Sequence, residues 1–381
     1  MQKGFRIFSI ILAILLAIYF SWSKLDRKEP PIDVQLQIDS TYVIHKDAGK
    51  GNIVGINAYM VPQDYASGDH FFAKLDGYMQ AAKLGGWLSS NTTVLFPEYI
   101  GTWLIVEKEK SSIYKAATVD EALSTFVRSN FFRYIRAWFL APDGTEDRIK
   151  HAVFASKSER MARIYREEFG KLAKKYEVTI VAGSILLQEP SVSKSGTIRI
   201  KNGPLYNVSA VFNPDGSLQQ ELILKSFPTA EEKPFIAPSP IDQLPVFEIP
   251  SGKTSVMICA DSWFPESYRA VAKKQASVLL VPSYTHPNDA MNQPWTGYSG
   301  FAAPSDTDTL DIGKISLREA WMKYTLPGRI KSSGASAGVH VTLRGRLWNL
   351  GTDGEFIVVS KDTVYTGKPA DGASMVCLYL Q

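Results

Sequence analysis

Short apolar runs and longer amphipathic runs alternate along most of the chain. The short runs are nearly continuous in apolar and β-branched residues, which is typical of strands buried on both faces. They cover residues 52–60, 92–100, 179–187, 253–261 and 276–283. The longer runs repeat apolar residues every three or four positions, which predicts helices. They cover residues 70–86, 159–178 and 265–275. This order predicts an α/β domain with mixed sheets.

Two further stretches alternate on either side of turn residues and predict hairpins. They are residues 205–225 and 338–359, with turns at Gly216 and Gly354. Asp-Gly pairs favour the tight turns that join neighbouring antiparallel strands. The hairpins therefore extend the same mixed α/β domain.

Residues 102–150 and 285–316 interrupt this pattern as additions to the domain, and the second is rich in Pro, Gly, Asp and Ser. Within the first, residues 119–140 keep apolar side chains at roughly helical spacing with arginines between them, which predicts one aromatic helix. Two interpretations stay open: a cap packed on the domain, or an interfacial helix resting on a bilayer. Because functional loops extend from rigid elements, both additions are expected to border the functional site.

The amino-terminal segment carries no charged residue between Ile7 and Ser23. A helix over residues 5–23 would nearly cross the ~30 Å hydrocarbon core, at ~1.5 Å per residue. Aromatic residues at its far end suit the headgroup region. They are Tyr19, Phe20 and Trp22. We predict a single-pass membrane anchor, with a cleaved signal peptide and a buried core helix as alternatives. An extracytoplasmic globular domain is the default for such an anchor.

The residues after this segment are polar and predict a tether over residues 24–51. Within it, residues 33–38 (DVQLQI) predict a short extra strand. The remaining residues 52–381 are long enough for one large domain, and no internal repeat divides them.

The composition is that of an ordinary globular protein, with 45% hydrophobic and 21% charged residues. The formal net charge is +4, and basic and acidic residues are interspersed, so we expect no nucleic-acid partner. Two cysteines are too few for a disulfide framework, and the five histidines lack metal-ligand spacing. We therefore expect neither a structural metal nor a cofactor.

Cys259 stands at the end of an apolar strand, where the chain turns towards a helix. Such a place exposes the side chain and offers backbone N–H groups to an anion, which suits a nucleophile. Taken alone, a buried free cysteine is more often a small hydrophobic core residue. Cys377 lies in another apolar strand and is expected in the core.

Two charged residues, Glu98 and Lys225, stand at the ends of other predicted strands. Each alone is explained by a surface ion pair or by solvation. In the order Glu98, Lys225, Cys259, however, the three and their neighbours resemble the nitrilase superfamily of carbon-nitrogen hydrolases. The matching segments are FPE, YNVSAVFNPDG leading to LKSFP, and CADSWFPE. The resemblance covers roughly residues 52–360 and implies a four-layer α-β-β-α sandwich.

The resemblance implies a role for each residue of the set. Glu98 would be the base, Lys225 the cation and Cys259 the nucleophile. The fourth residue of the family, a glutamate shortly after the lysine, is carried to Glu232, with Glu231 as a competitor. Asp261, two residues after the cysteine, matches the usual acidic residue of the family and is expected to hold the turn.

The chemistry explains why these residue types are needed. A thiolate divides amide hydrolysis into acylation and deacylation. Glu98 would take the thiol proton of Cys259, and Lys225 and the backbone N–H of Ala260 would stabilise the oxyanion. The sequence thus predicts hydrolysis of a small linear amide through a cysteine thioester. Cys259→Ala and Lys225→Ala are both expected to keep the fold and lose turnover.

Three other functions stay open. They are acyl transfer at a membrane, as in the similar apolipoprotein N-acyltransferases, nitrile hydrolysis, and an inactive membrane-tethered scaffold. The expected substrate-lining residues are Trp103, Tyr284, His286 and Trp295. Members of the family commonly dimerise, so a homodimer is compatible with the resemblance.

Overall fold

The computed structural model describes residues 2–381. The helices are α1 Gln2–Lys24, α2 Gly68–Leu84, α3 Ser111–Tyr114, α4 Val119–Ser129, α5 Phe131–Phe139, α6 Arg148–Ala155, α7 Ser158–Tyr176, α8 Pro265–Lys273, α9 Leu317–Tyr324 and α10 Leu326–Ser333. The strands are β1 Ile38–Ile44, β2 Asn52–Asn57, β3 Tyr59–Met60, β4 Thr92–Leu95, β5 Thr179–Val181, β6 Ile185–Val192, β7 Ile198–Ser209, β8 Val211–Phe212, β9 Ile223–Leu224, β10 Val246–Ile249, β11 Gly252–Val256, β12 Val278–Ser283, β13 Ala337–Thr342, β14 Arg344–Gly345, β15 Ile357–Ser360, β16 Thr363–Thr366 and β17 Ala373–Tyr379.

Two six-stranded sheets form the centre of the domain. Their strand orders are β1-β17-β2-β4-β5-β8 and β10-β11-β12-β13-β15-β16. Each combines parallel pairs at its centre with antiparallel pairs towards an edge, which confirms the predicted mixed sheets. The smaller sheets are β6-β7-β9 and β14-β3.

The two large sheets pack face to face. The side chains of β2, which point alternately to the two faces of the first sheet, show which face meets the second sheet. Ile53 belongs to the core between the sheets, whereas Val54 and Ile56 belong to the core on the other face. Gly55 also points between the sheets, where a Cβ atom would lie 2.9 Å from the side chain of Val341. A glycine is therefore needed for this close approach.

Helices cover both outer faces of the paired sheets. On the first sheet, Phe169 of α7 packs against Phe71 of α2 and against Phe96, which follows β4. On the second sheet, Tyr268 of α8 and Ile330 of α10 are buried against its strands. The resulting order is helix, sheet, sheet, helix.

Several predicted strands are shorter than their apolar runs, and two of them show the physical reason. β4 ends at Leu95, because Pro97 two residues later has no N–H to donate to a ladder. The run 179–187 divides into β5 and β6, which lie in different sheets. Gly183 between them has φ +64°, and a Cβ atom there would lie 2.0 Å from the Pro97 carbonyl oxygen.

The predicted tether is wrong as a description of residues 24–51. The extra strand is β1, which starts at Ile38 where the predicted strand ended and pairs in parallel with β17. The residues before β1 form hydrogen bonds with side chains of α2 instead of pairing as a strand. Lys74 donates to the Gln35 carbonyl at 2.5 Å, and Tyr78 donates to the Leu36 carbonyl at 2.8 Å. The segment thus packs on the domain.

The single aromatic helix predicted over residues 119–140 is also wrong, because the chain breaks at Asn130 into α4 and α5. The Asn130 side chain donates to the Phe126 carbonyl at 3.0 Å and to Glu109 at 2.9 Å. Asparagine competes in this way with helical hydrogen bonds and favours helix ends.

Helix α1 leads directly into contacts with the domain. Its Phe5–Lys24 portion has mean hydropathy 2.1 with none of that window buried, a length and composition that suit a membrane span or a signal sequence. Lys110 donates to the carbonyls of Trp22 at 2.6 Å and Leu25 at 2.7 Å, and Arg27 pairs with Glu109 at 2.8 Å. The end of α1 is therefore held by three charged side chains of the protein.

Candidate active site

Cys259 lies just beyond β11 at the start of a 3-10 turn, Cys259–Trp263. Its backbone φ is +48°, a left-handed conformation that residues other than glycine rarely adopt. Backbone strain of this kind persists where the surrounding structure enforces it, commonly at functional sites. The side chain is 8% exposed, and its Sγ lies 3.9 Å from the Tyr284 carbonyl oxygen.

Lys225, which follows β9, lies between two buried carboxylates. Its Nζ is 2.9 Å from Glu98 Oε1 and 2.7 Å from Glu232 Oε2. Asn207 of β7 donates to Glu98 at 2.8 Å and to Glu232 at 3.2 Å, and the Tyr99 hydroxyl also donates to Glu232. Each carboxylate therefore has at least two donors, which offsets the cost of burying it.

The charges of this cluster set the protonation states. Burial alone would lower the pKa of Lys225, but Glu232 and Glu98 outweigh it and raise that pKa well above its usual value. Burial would raise the pKa of Glu232, yet Lys225 and the other donors lower it. Burial raises the pKa of Glu98, which makes it the carboxylate of the pair that accepts a proton first.

Burial also raises the pKa of the Cys259 thiol, and the nearby Glu98 carboxylate raises it further. The resting thiol is therefore protonated at neutral pH. Removal of its proton must accompany attack on a substrate, and Glu98 is the adjacent group able to take it.

Asp261 joins the turn of Cys259 to the segment of Lys225. It accepts hydrogen bonds from the backbone N–H groups of Ser226 at 2.9 Å, Phe227 at 2.8 Å and Ile258 at 3.1 Å. The bond to Ile258 confirms the predicted role in holding the turn. The other two bonds also fix the segment that carries Lys225.

Ser184 holds the segment that carries Glu98. Its hydroxyl accepts from the Tyr99 N–H at 2.9 Å, its N–H donates to the Pro97 carbonyl at 3.2 Å, and its carbonyl accepts from Gly101 at 2.9 Å. Tyr99 itself has φ +61°. The carboxylate is thus presented by a strained segment bonded on both sides of Glu98.

A cavity of about 410 Å³ opens above these residues. Glu98, Lys225, Glu232 and Cys259 line it, together with Ala260, the residue predicted to offer its N–H to an oxyanion. Three of the four predicted substrate-lining residues also border it. They are Tyr284, His286 and Trp295.

Trp103 is the fourth predicted lining residue, and it lies elsewhere. It sits in the 3-10 turn Thr102–Val106, 8% exposed, with its ring 5.1 Å from that of Trp348. The edge-to-face packing of Trp103 and Trp348 helps to bury Trp103 in the core on the outer face of the first sheet.

The competitor for the fourth position, Glu231, does not contact Lys225. Its carboxylate is exposed at the mouth of the cavity and lies 3.2 Å from Nε2 of His286. Glu232 is the residue whose carboxylate points inward to Lys225. The same carboxylate accepts the backbone N–H of Thr229 at 2.8 Å, which holds it in this orientation.

Several residues of the site were not identified from the sequence. Asn207 is a polar residue in the buried end of β7, beside the apolar Leu205 and Val208, a signal that could have marked it. The aromatic walls have no such signal. They are Tyr99, Trp263, Phe264, Tyr298 and Trp321. Within residues 2–381, no group of three or more His, Cys, Asp or Glu side chains is arranged to hold a metal ion.

A family model described as carbon-nitrogen hydrolase matches residues 155–303. This stretch includes Lys225, Glu232 and Cys259, whereas Glu98 precedes it.

Curated relatives match over part of the chain. A probable hydrolase of Bacillus subtilis is 32% identical over 121 residues, which are 32% of this chain and 21% of the relative. An N-carbamoylputrescine amidase of Solanum lycopersicum is 33% identical over 124 residues, 31% of this chain and 41% of the relative. An omega-amidase of Xenopus tropicalis is 29% identical over 150 residues, 38% and 48% of the two chains. The matched stretches thus span less than half the length of these relatives.

Among solved structures, an amidase from Nesterenkonia sp. is similar with a TM-score of 0.47 and 15% identity. The match covers 88% of this chain and 92% of that chain.

Proposed function

Because this chain belongs to the carbon-nitrogen hydrolase family, the nitrilase superfamily, we propose that it hydrolyses a linear amide through a thioester on Cys259. The observation that carries the proposal is the strained cysteine at +48° beside a buried lysine held between Glu98 and Glu232. A structural ion pair would not require a thiol in a strained conformation at the same cavity.

Acylation begins when Glu98 takes the thiol proton as Sγ of Cys259 attacks the amide carbon. The carbonyl oxygen becomes an oxyanion, which the ammonium of Lys225 and the N–H of Ala260 stabilise. The carbon-nitrogen bond then breaks, Glu98 returns the proton to the leaving amine, and the acyl group remains on Cys259 as a thioester.

Deacylation repeats these roles with water as the nucleophile. Glu98 takes a proton from water, hydroxide attacks the thioester carbon, and the same donors hold the second oxyanion. The carbon-sulfur bond breaks, the thiol is protonated again, and the acid leaves. An amine in place of water would give acyl transfer, so the product identifies which reaction occurs.

The walls of the cavity favour substrates with an uncharged acyl group. Lys225 is the only lysine or arginine among the described residues that line it, and two carboxylates already neutralise it. An acyl group with its own carboxylate would be buried without a cation, at high cost. The aromatic walls instead offer apolar surface and edges for a neutral group.

The function is tested by intact mass spectrometry after mixing the protein with a library of neutral amides and esters. We expect a mass increase equal to the acyl group, and its loss in both Cys259→Ala and Glu98→Gln, because acylation needs the thiol and the base that takes its proton. Cys377→Ala is the matched control, because Cys377 is the other buried thiol and lies away from the cavity. Turnover by Cys259→Ala equal to that of the unmodified chain would refute the proposal.

We also propose that α1 remains attached and spans a bilayer once, with the catalytic domain on the extracytoplasmic side. The support is the apolar composition of Phe5–Lys24 and the bonds that hold its end to the domain. Intact mass of protein from carbonate-washed membranes should include residues 2–24. A membrane-impermeant maleimide should label Leu310→Cys in intact cells, and labelling only after lysis would reverse the orientation.

A further inference from the structure

Helix α5 presents a bare aromatic face. Phe131 and Phe132 are each 45% exposed and Phe139 is 70% exposed, while Ala137 on the opposite side is buried. Residues 131, 135 and 139 follow one another at four-residue spacing and therefore share a face of the helix. In water such a face is unfavourable, which indicates that something apolar covers it.

The aromatic face continues the surface of α1. The Phe132 ring stacks on Phe20 with 5.4 Å between centroids and meets Tyr19 edge-on at 5.3 Å. The Phe131 N–H donates to the Tyr19 hydroxyl at 3.0 Å. Tyr19 precedes the end of α1 by five residues, or roughly 7 Å along the helix axis. If α1 crosses a bilayer, α5 begins at the depth of about 5–10 Å at which interfacial helices lie.

The other side of α5 borders a strongly basic cavity. Arg133, Arg136 and Ala137 contribute to its wall, and its volume is about 1180 Å³. Eight lysine or arginine and three glutamate side chains line it. Glu107 and Glu109 are each already paired with basic residues.

Four of the basic side chains in this cavity remain without a carboxylate. Arg133, Arg136, Arg163 and Lys201 take part in none of the ion pairs found among residues 2–381. Guanidinium groups bind phosphate oxygens through two parallel N–H donors, which makes a phosphate diester the anion that this cavity fits.

We propose that α5 lies in the headgroup layer of the bilayer that α1 crosses, with its phenylalanines at the acyl boundary and anionic phospholipid headgroups in the basic cavity. The proposal rests on the membrane anchor proposed above. Because Lys110 and Arg27 hold α1 to the domain, two contacts with the bilayer would fix the tilt of the catalytic domain.

The depth of α5 tests this surface directly. The full chain carrying Phe139→Cys is spin-labelled and placed in nanodiscs of phosphatidylcholine with phosphatidylglycerol, and collisions with oxygen and with a water-soluble nickel chelate are compared. We expect the label to lie about 5–10 Å below the headgroups. Leu310→Cys is the matched control, because Leu310 is 71% exposed and Phe139 70% exposed. The signal of the chain with only its native cysteines is subtracted.

The charges are tested by the double variant Arg133→Glu and Arg136→Glu. In nanodiscs that contain phosphatidylglycerol, this double variant should move the spin label at residue 139 towards water, since the attraction to anionic lipids is electrostatic. In phosphatidylcholine alone, the depth of the label should not change. Lys273→Glu with Lys314→Glu makes the same change of charge at exposed residues outside the cavity and should have no effect. Hydrolysis of a soluble amide should be equal in all variants.

The outcomes separate the surface from the anchor. Full-length protein that elutes apart from the nanodiscs would refute the anchor and the surface with it. Protein that elutes with nanodiscs but carries a label at residue 139 as accessible to nickel as the label at residue 310 would refute the surface alone. An equal depth for the arginine variant and the parent in anionic lipid would refute the headgroup site.

Discussion

The Asp261 carboxylate accepts the backbone N–H of Phe227 at 2.8 Å and so ties the segment that carries Lys225 to the turn that carries Cys259. The two segments come from different sheets, β9 from a three-stranded sheet and β11 from a six-stranded one. A single side chain therefore links the segment of the cation to the turn of the nucleophile.

Asp261→Asn should reduce kcat more than it changes KM. The amide keeps one acceptor oxygen but turns an NH2 group towards a backbone N–H, which leaves at least one buried donor unpaired, at about 1–3 kcal/mol. Steady-state kinetics well below the Tm of the variant provide the measurement. Asp215→Asn is the control, because Asp215 accepts the Ser217 N–H in a distant turn at 2.8 Å. A kcat equal to that of the parent would limit Asp261 to stability.

Lys225→Ala should unfold more easily as well as lose turnover, which revises the expectation from the sequence. Lys225 is buried between two carboxylates, and removal of one partner from a buried ion pair costs about 3–5 kcal/mol. Adding Glu232→Gln should recover part of that stability without restoring turnover. Urea unfolding of both variants measures the effect. Equal stability of Lys225→Ala and the parent would contradict the buried network.

As the pH is lowered, the rate should begin to fall at a pH higher than that at which an ordinary glutamate titrates. Glu98 works as a base only when ionised, and burial raises its pKa from 4.5, so protonation begins at higher pH. Lys225 keeps its proton through the alkaline range, because its pKa is well above 10.5. The profile of kcat/KM against pH measures this, and it reports Glu98 and Glu232 as a coupled pair. An acid limb below pH 4.5 would exclude Glu98 as the base.

Neutral amides should be better substrates than amides of the same size with a carboxylate on the acyl group. The difference in kcat/KM should be about tenfold or more, since the buried carboxylate would lack a cation. Paired substrates that differ only in carboxylate and carboxamide provide the comparison. Preference for the carboxylate would show that a cation outside the described lining enters the cavity.

Most of the helices and strands could be predicted because they depend on residues that are near one another in the sequence. Periodicity identified α2, α7 and α8 and the strands that precede Glu98 and Cys259, because local burial imposes a period of two or of about 3.6 residues. The break at Asn130 was missed, because the Asn130 amide bonds to Glu109, 21 residues away in the sequence.

The sequence by itself determined the apolar amino-terminal helix, the α/β class and the three strand ends that carry Glu98, Lys225 and Cys259. Only the tertiary structure decided that Glu232 rather than Glu231 faces Lys225, that Trp103 packs away from the cavity, and that α1 is held against the domain. The physical reason is distance along the chain: Lys225 and Glu98 are 127 residues apart, and their contact exists only once the sheets have packed.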